Sequence, residues 1–143
     1  MGDVIRAEPT DLAEEEFGWL VGRSIDEVRF AEPSSWWIQF AGGGTLAIHG
    51  GVWRLIESGS MVACSQDHGH RFGLPEPFDA VGTARTALRN ARIEGARIRG
   101  GAPDLELCFS GGLVLEALAL SRGYECWEIR DPTGRCLVVR RRP

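Results

Sequence analysis

The chain has 143 residues, of which 43% are hydrophobic and 25% charged, with a formal net charge of −4. This is the balance of a folded globular chain long enough to bury a sizeable core, and its acidity excludes whole-molecule attraction to nucleic acid or to an anionic membrane surface. No apolar run approaches the roughly 20 residues that cross a bilayer, and the acidic start "MGDVIRAEPTDLAEEE" has no apolar centre of the kind a secretion signal needs, so a cytoplasmic location is expected.

In chain order, "TDLAEEEFGWLVG" (10–22) reads as a short helix, with Thr10 as N-cap, acids in its early turns and Gly22 as a stop. "WWIQFA" (36–41) alternates as a strand, with Trp36, Ile38 and Phe40 on one face and Trp37 and Gln39 on the other. "AGGGT" is a hairpin turn leading into "TLAIH", and "VWRLIE" follows with Trp53 and Leu55 on one face. The stretch "HGHRFGLPEPF" is an irregular Gly- and Pro-rich linker. "DAVGTARTALRNA" is a second short helix, capped by Asp79, with Val81, Ala84 and Leu88 on one side. "DLELCF", "LVLEALA", "YECWEIR" and "RCLVVR" continue as strands separated by "SGG" and "DPTG" turns. With about eight to ten short strands, this predicts a mainly β protein, a sandwich or a barrel with one or two short helices.

The chain also repeats itself. Leu20, Ile25 and Phe30 fall on Leu88, Ile93 and Ile98 at an offset of 68. Phe40, Gly42, Gly43 and Leu46 fall on Phe109, Gly111, Gly112 and Leu115 at 69, and Trp53 falls on Trp127 at 74. The order is preserved and the offset changes only in loops, which points to an ancient duplication. One domain is expected over 1–143, with repeat 1 at about 19–66, a linker and short helix at 67–90, and repeat 2 at about 88–140, the two repeats forming pseudo-symmetric antiparallel β-meanders.

Chemistry-bearing residues are few. "CSQDHGH" gathers Cys64, His68 and His70 as C-x3-H-x-H. A structural zinc site takes four ligands, usually in two close pairs, and the sequence offers no second pair; Asp67 or His49 would have to complete the shell. Cys64 aligns with Val139 of the second repeat, an apolar counterpart that suits a small, partly buried residue. A Cys–His nucleophile would need an activated thiolate and an oxyanion hole, and no motif announces either. There is no phosphate loop, GxSxG or HExxH, and Glu125 and Glu128 beside Trp127 read as acids on the wet side of a strand. The expectation is no catalytic residue and no cofactor. The four cysteines, Cys64, Cys108, Cys126 and Cys136, form no CxxC pair and read as thiols of a reducing compartment.

The surface signal is Trp37. It shares a face with polar Gln39, opposite Trp36, so it points away from the core unless the N-terminal helix covers it with Phe17 or Trp19. The first sixteen residues carry six acids, among them Asp11, Glu14 and Glu15, against one arginine. An aromatic anchor beside an acidic segment suits a basic protein partner. Trp37, Gln39, Asp11, Glu14 and Glu15 are therefore the candidate partner-binding residues.

The opening "LVG" (20–22) and the close "GYECWEIRDPTGRCLVV" (123–139), with its Tyr124, Glu125, Trp127 and Glu128, resemble a bacterial family of unknown function built from two β repeats and closing in Tyr-Glu-x-Trp-Glu. The resemblance spans about residues 19–139, and the terminal "RRRP" departs from the Gly-rich ending of that family. Proteins of this size and type are similar to small immunity proteins that neutralise bacterial toxins. The resemblance implies a non-catalytic module that binds a protein. The alternative from the residues themselves is a metal- or Cys-dependent enzyme using Cys64, His68 and His70.

Overall fold

The structure, a computed structural model, describes residues 4–7, 17–99, 103–121 and 126–139. Among them are eleven strands: β1 (Val4–Ala7), β2 (Ile25–Ala31), β3 (Ser35–Phe40), β4 (Thr45–His49), β5 (Val52–Glu57), β6 (Ser60–Cys64), β7 (Ile93–Ile98), β8 (Leu105–Phe109), β9 (Leu113–Leu118), β10 (Trp127–Arg130) and β11 (Cys136–Val139). They form a six-stranded sheet of order β1-β11-β10-β4-β3-β2 and a five-stranded sheet of order β6-β5-β9-β8-β7. Every pairing is antiparallel except β1 with β11. The sheets do not close on themselves, so of sandwich and barrel the fold is the sandwich. One continuous core lies between them, with Trp36, Ile38, Leu46 and Trp127 from one sheet and Trp53, Leu55, Leu107 and Leu115 from the other.

The two repeats interlock. Each places its first three strands in one sheet and its last two in the other, so every pairing in one half has a counterpart in the second. The registers agree residue by residue. Trp127 stands opposite Ile48 and Ile129 opposite Leu46; in the other sheet Trp53 stands opposite Ala117 and Leu55 opposite Leu115. A bulge between Ile25 and Glu27 recurs between Ile93 and Gly95. Phe40 and Phe109 are each 2% exposed, as the alternation predicts for equivalent inward positions. Gly22 and Asn90, 68 residues apart, both adopt a left-handed backbone at the entry to their repeats, a conformation that Gly and Asn tolerate best.

The chain crosses between sheets at Gly50–Gly51. A Cβ on Gly51 would lie 3.0 Å from both Cys126 Cβ and the Leu118 carbonyl oxygen, so only glycine lets β4 turn so closely over the second repeat. The "AGGGT" hairpin forms as expected, with Gly42, Gly43 and Gly44 all at positive φ.

The second predicted helix is α1 (Ala80–Leu88); the Asp79 carboxylate accepts from the Gly82 N–H at 2.9 Å, and Ala80, Ala84 and Leu88 are buried. Of the first, the described part is a 3-10 turn at Gly18–Leu20 that ends in the turn at Gly22, and residues 10–16 lie outside the described residues. β1 was not anticipated: four residues within an acidic segment are too few for alternation to register. No helix of the described residues is long and apolar enough to cross a membrane.

Candidate functional site

Because the halves correspond, the outward-facing residues can be compared row by row. Across the five-stranded sheet, one row runs Cys64–Arg54–Glu116–Glu106–Arg97. The equivalent row of the six-stranded sheet runs Glu128–Ala47–Trp37–Arg29. Inward residues stay apolar in both halves, while the outward ones have diverged: Trp37 stands where the other sheet has Glu106, and Ala47 where it has Glu116.

Trp37 is half-buried on the outer face. Its ring meets His49 edge-on at 5.6 Å, and the His49 ring nitrogen Nδ1 shares a 3.1 Å hydrogen bond with Ser35 Oγ. Gln39, half-exposed, and Arg29, exposed, lie on the same face. Neither Phe17 nor Trp19 covers the indole. Phe17 is in the core, and Trp19 packs edge-on against inward Phe40 at 5.6 Å. Asp11, Glu14 and Glu15 lie outside the described residues.

On the opposite outer face two carboxylates stand side by side across β8 and β9, with Glu106 6% and Glu116 1% exposed. Like charges in directly opposed positions repel, and burial strips their water, so they persist only with compensating cations. Three arginines supply them. Arg54 donates to Glu116 at 3.0 Å, Arg99 to Glu106 at 2.9 Å, and Arg97 to Glu106, while Arg99 also pairs with Glu116. The hydrogen bond from Arg97 holds the Glu106 carboxyl below its ordinary pKa against the opposing effect of burial. Cys108, in the neighbouring row, has its thiol pKa pushed up, burial being the largest cause, which makes it a poor nucleophile. This ladder is saturated: each buried acid is met by two guanidinium partners, the arrangement of a structural network.

The residues of "CSQDHGH" are not brought to a common centre. Cys64 shares the outer face with its cross-strand partner Arg54. Its counterpart by register is Val138, not Val139, because the bulge at Val62 in β6 absorbs one residue of offset. His68 sits at the sandwich edge, its ring 4.9 Å from Phe30 and 5.4 Å from Trp36, lining a cleft of about 210 Å³ with Ser34, Ser65 and His70. His68 Nδ1 accepts the Ala80 N–H at 3.0 Å at the start of α1. A neutral imidazole has one free lone pair, and here the helix takes it, so the remaining nitrogen carries the proton and neither can ligate a metal while that bond stands. His70 is exposed and stacked on Phe72 at 5.7 Å. His49 is on the outer face beside Trp37. Among the described residues, no three His, Cys, Asp or Glu side chains are grouped to hold a metal ion, and no disulfide joins any of the four cysteines.

Sequence reading missed the buried acid pair. Nothing local to "DLELCF" or "LVLEALA" signals that Arg54, 62 residues before Glu116, will lie over it. Comparison with known proteins finds no matching family model, no matching curated protein and no matching solved structure.

Proposed function

We propose that the chain is a non-catalytic protein-binding module, an immunity-type inhibitor that neutralises a basic bacterial toxin domain, with the outer face around Trp37 as its contact surface. The observation that carries this reading is the divergence of the two outer faces. At the position where one repeat holds a closed charge ladder, the other presents a half-exposed Trp beside Arg29, Gln39 and His49. A Trp that is not needed in the core and is partly open to solvent is the residue type most enriched among interface hot spots. The acidic N-terminal sixteen residues and the net charge of −4 would speed encounter with a basic partner. The alternative enzyme reading requires Cys64, His68 and His70 to act together, whereas Cys64 stands opposite Arg54 on the outer face and does not line the cleft that His68 and His70 share.

The test is protection. A basic toxin domain encoded beside this chain's gene is expressed in bacteria with and without the chain. Restored growth with the wild type, lost with a folded Trp37→Ala variant, supports the reading. Growth arrest despite abundant folded wild-type chain contradicts it.

A further inference from the structure

Among the described residues, the pseudo-symmetry of the sandwich breaks at a pair of equivalent sheet edges. The outer edge of β11 carries β1 as a parallel neighbour, Val4 opposite Cys136 and Ile5 opposite Leu137. The equivalent edge belongs to β6, the last strand of the five-stranded sheet, and among the described residues no strand pairs with it there. The two edges correspond by register, Met61 to Cys136 and Ala63 to Leu137.

Edge strands normally refuse partners through charge, proline or a bulge. The other three edge strands carry charge: Arg6 in β1, Asp26, Glu27 and Arg29 in β2, and Glu94 and Arg97 in β7. β6 reads Ser-Met-Val-Ala-Cys, without a charge or a proline; the bulge at Val62 and the neighbouring α1 are its protection. Met61 is 56% exposed on it, an apolar side chain left at an open rim. α1 lies against β6, while Ser60 and Met61 stay in solvent.

We propose that the β6 edge is a strand-acceptor site, which takes an extended segment of the protein partner with an apolar start like the Val4–Ile5 of β1, as a parallel strand, and so completes the five-stranded sheet as β1 completes the other. This rests on the reading of the chain as a protein-binding module and adds a second contact, separate from Trp37. The chemistry is β-augmentation: backbone hydrogen bonds supply affinity, and the apolar rim at Met61 and Val62 selects the side chains that pack beside it.

The experiment uses the full chain and a synthetic peptide of its own residues 3–8, Asp-Val-Ile-Arg-Ala-Glu, which contains the Val4–Ala7 strand that the equivalent edge accepts. At millimolar peptide, amide hydrogen exchange of β6 is expected to slow at least tenfold, with β7 unchanged. A spin label on the peptide N-terminus is expected to broaden Ser60 and Met61 more than Cys64, as parallel pairing requires. Met61→Lys should abolish both effects without lowering the melting temperature. Unchanged exchange in β6 overturns the proposal, and so does broadening strongest at Cys64, which would mean antiparallel pairing. Concentration-dependent dimerisation that Met61→Lys removes would make the occupant a second copy and likewise overturn it. None of these outcomes depends on the toxin experiment, so failure of the edge site and failure of the binding reading remain distinguishable.

Discussion

At the scale of single residues, Trp53 and Trp127 make a matched pair with different local chemistry. Both are buried on equivalent strands, but the Trp127 indole N–H donates to the Pro103 carbonyl at 2.8 Å, whereas the Trp53 indole nitrogen has no acceptor among the described residues. The repeat places Ser34 where Pro103 stands, the stretch from Phe30 to Trp36 being one residue shorter than that from Ile98 to Leu105, and its carbonyl does not take up the role. A buried donor without an acceptor costs free energy, and removing it returns that cost. Replacing each Trp by Phe removes the same volume, so the difference isolates the hydrogen bond. Chemical denaturation should show Trp127→Phe less stable than Trp53→Phe by about 1–3 kcal/mol. Equal losses would mean that Trp53 finds an acceptor in solution. Truncation of either to Ala should cost about 3–5 kcal/mol. The core role of both residues was legible in the sequence, because each alternates with an inward apolar neighbour. The missing acceptor was not, because it depends on how closely a loop approaches an indole.

Among the elements, the strand pair β8–β9 gives the clearest pH dependence. The folded-state pKa of Glu106 is lowered, chiefly by its hydrogen bond from Arg97. The stability this contributes is therefore fully present above the ordinary carboxylate pKa of about 4.3 and is lost as pH falls through the lower folded value. Urea midpoints measured from neutral pH downward should fall on the acid side, and Glu106→Gln should flatten that limb while lowering stability at pH 7 by about 1.5–3 kcal/mol. An acid limb as steep in the variant as in the wild type would assign the effect to other carboxylates. The helix α1 supplies a smaller, independent check: Asp79→Ala removes the bond to Gly82 and should cost about 1 kcal/mol. Asp79 was readable as a cap because the signal is local. The partners of Glu106 and Glu116 were not, since their arginines come from β5, from β7 and from the residue after it.

For the whole molecule, the interlocking of the repeats decides what can fold. Since β5 pairs with β9 and β10 with β4, neither half can complete a sheet alone. Cleavage within residues 71–77, all exposed, should leave the two fragments associated with native circular dichroism, and each fragment separated in denaturant should stay unfolded when returned to buffer alone. A half that refolds by itself would refute the interlocked sandwich. The duplication itself was visible as three series of matched residues, but strand alternation carries no information about which sheet a strand joins, so the crossing at Gly50–Gly51 was hidden. The same correspondence underlies the central proposal, that one outer face is a closed structural ladder and the other a binding surface. The direct measurement is partner affinity and melting temperature determined together for two variants at equivalent positions, Trp37→Ala and Glu106→Gln. The claim predicts that Trp37→Ala loses at least about 2 kcal/mol of binding with a near-native melting temperature, while Glu106→Gln melts earlier and binds as the wild type. The reverse pattern, with Trp37→Ala unstable but fully binding and Glu106→Gln stable but impaired, would contradict it.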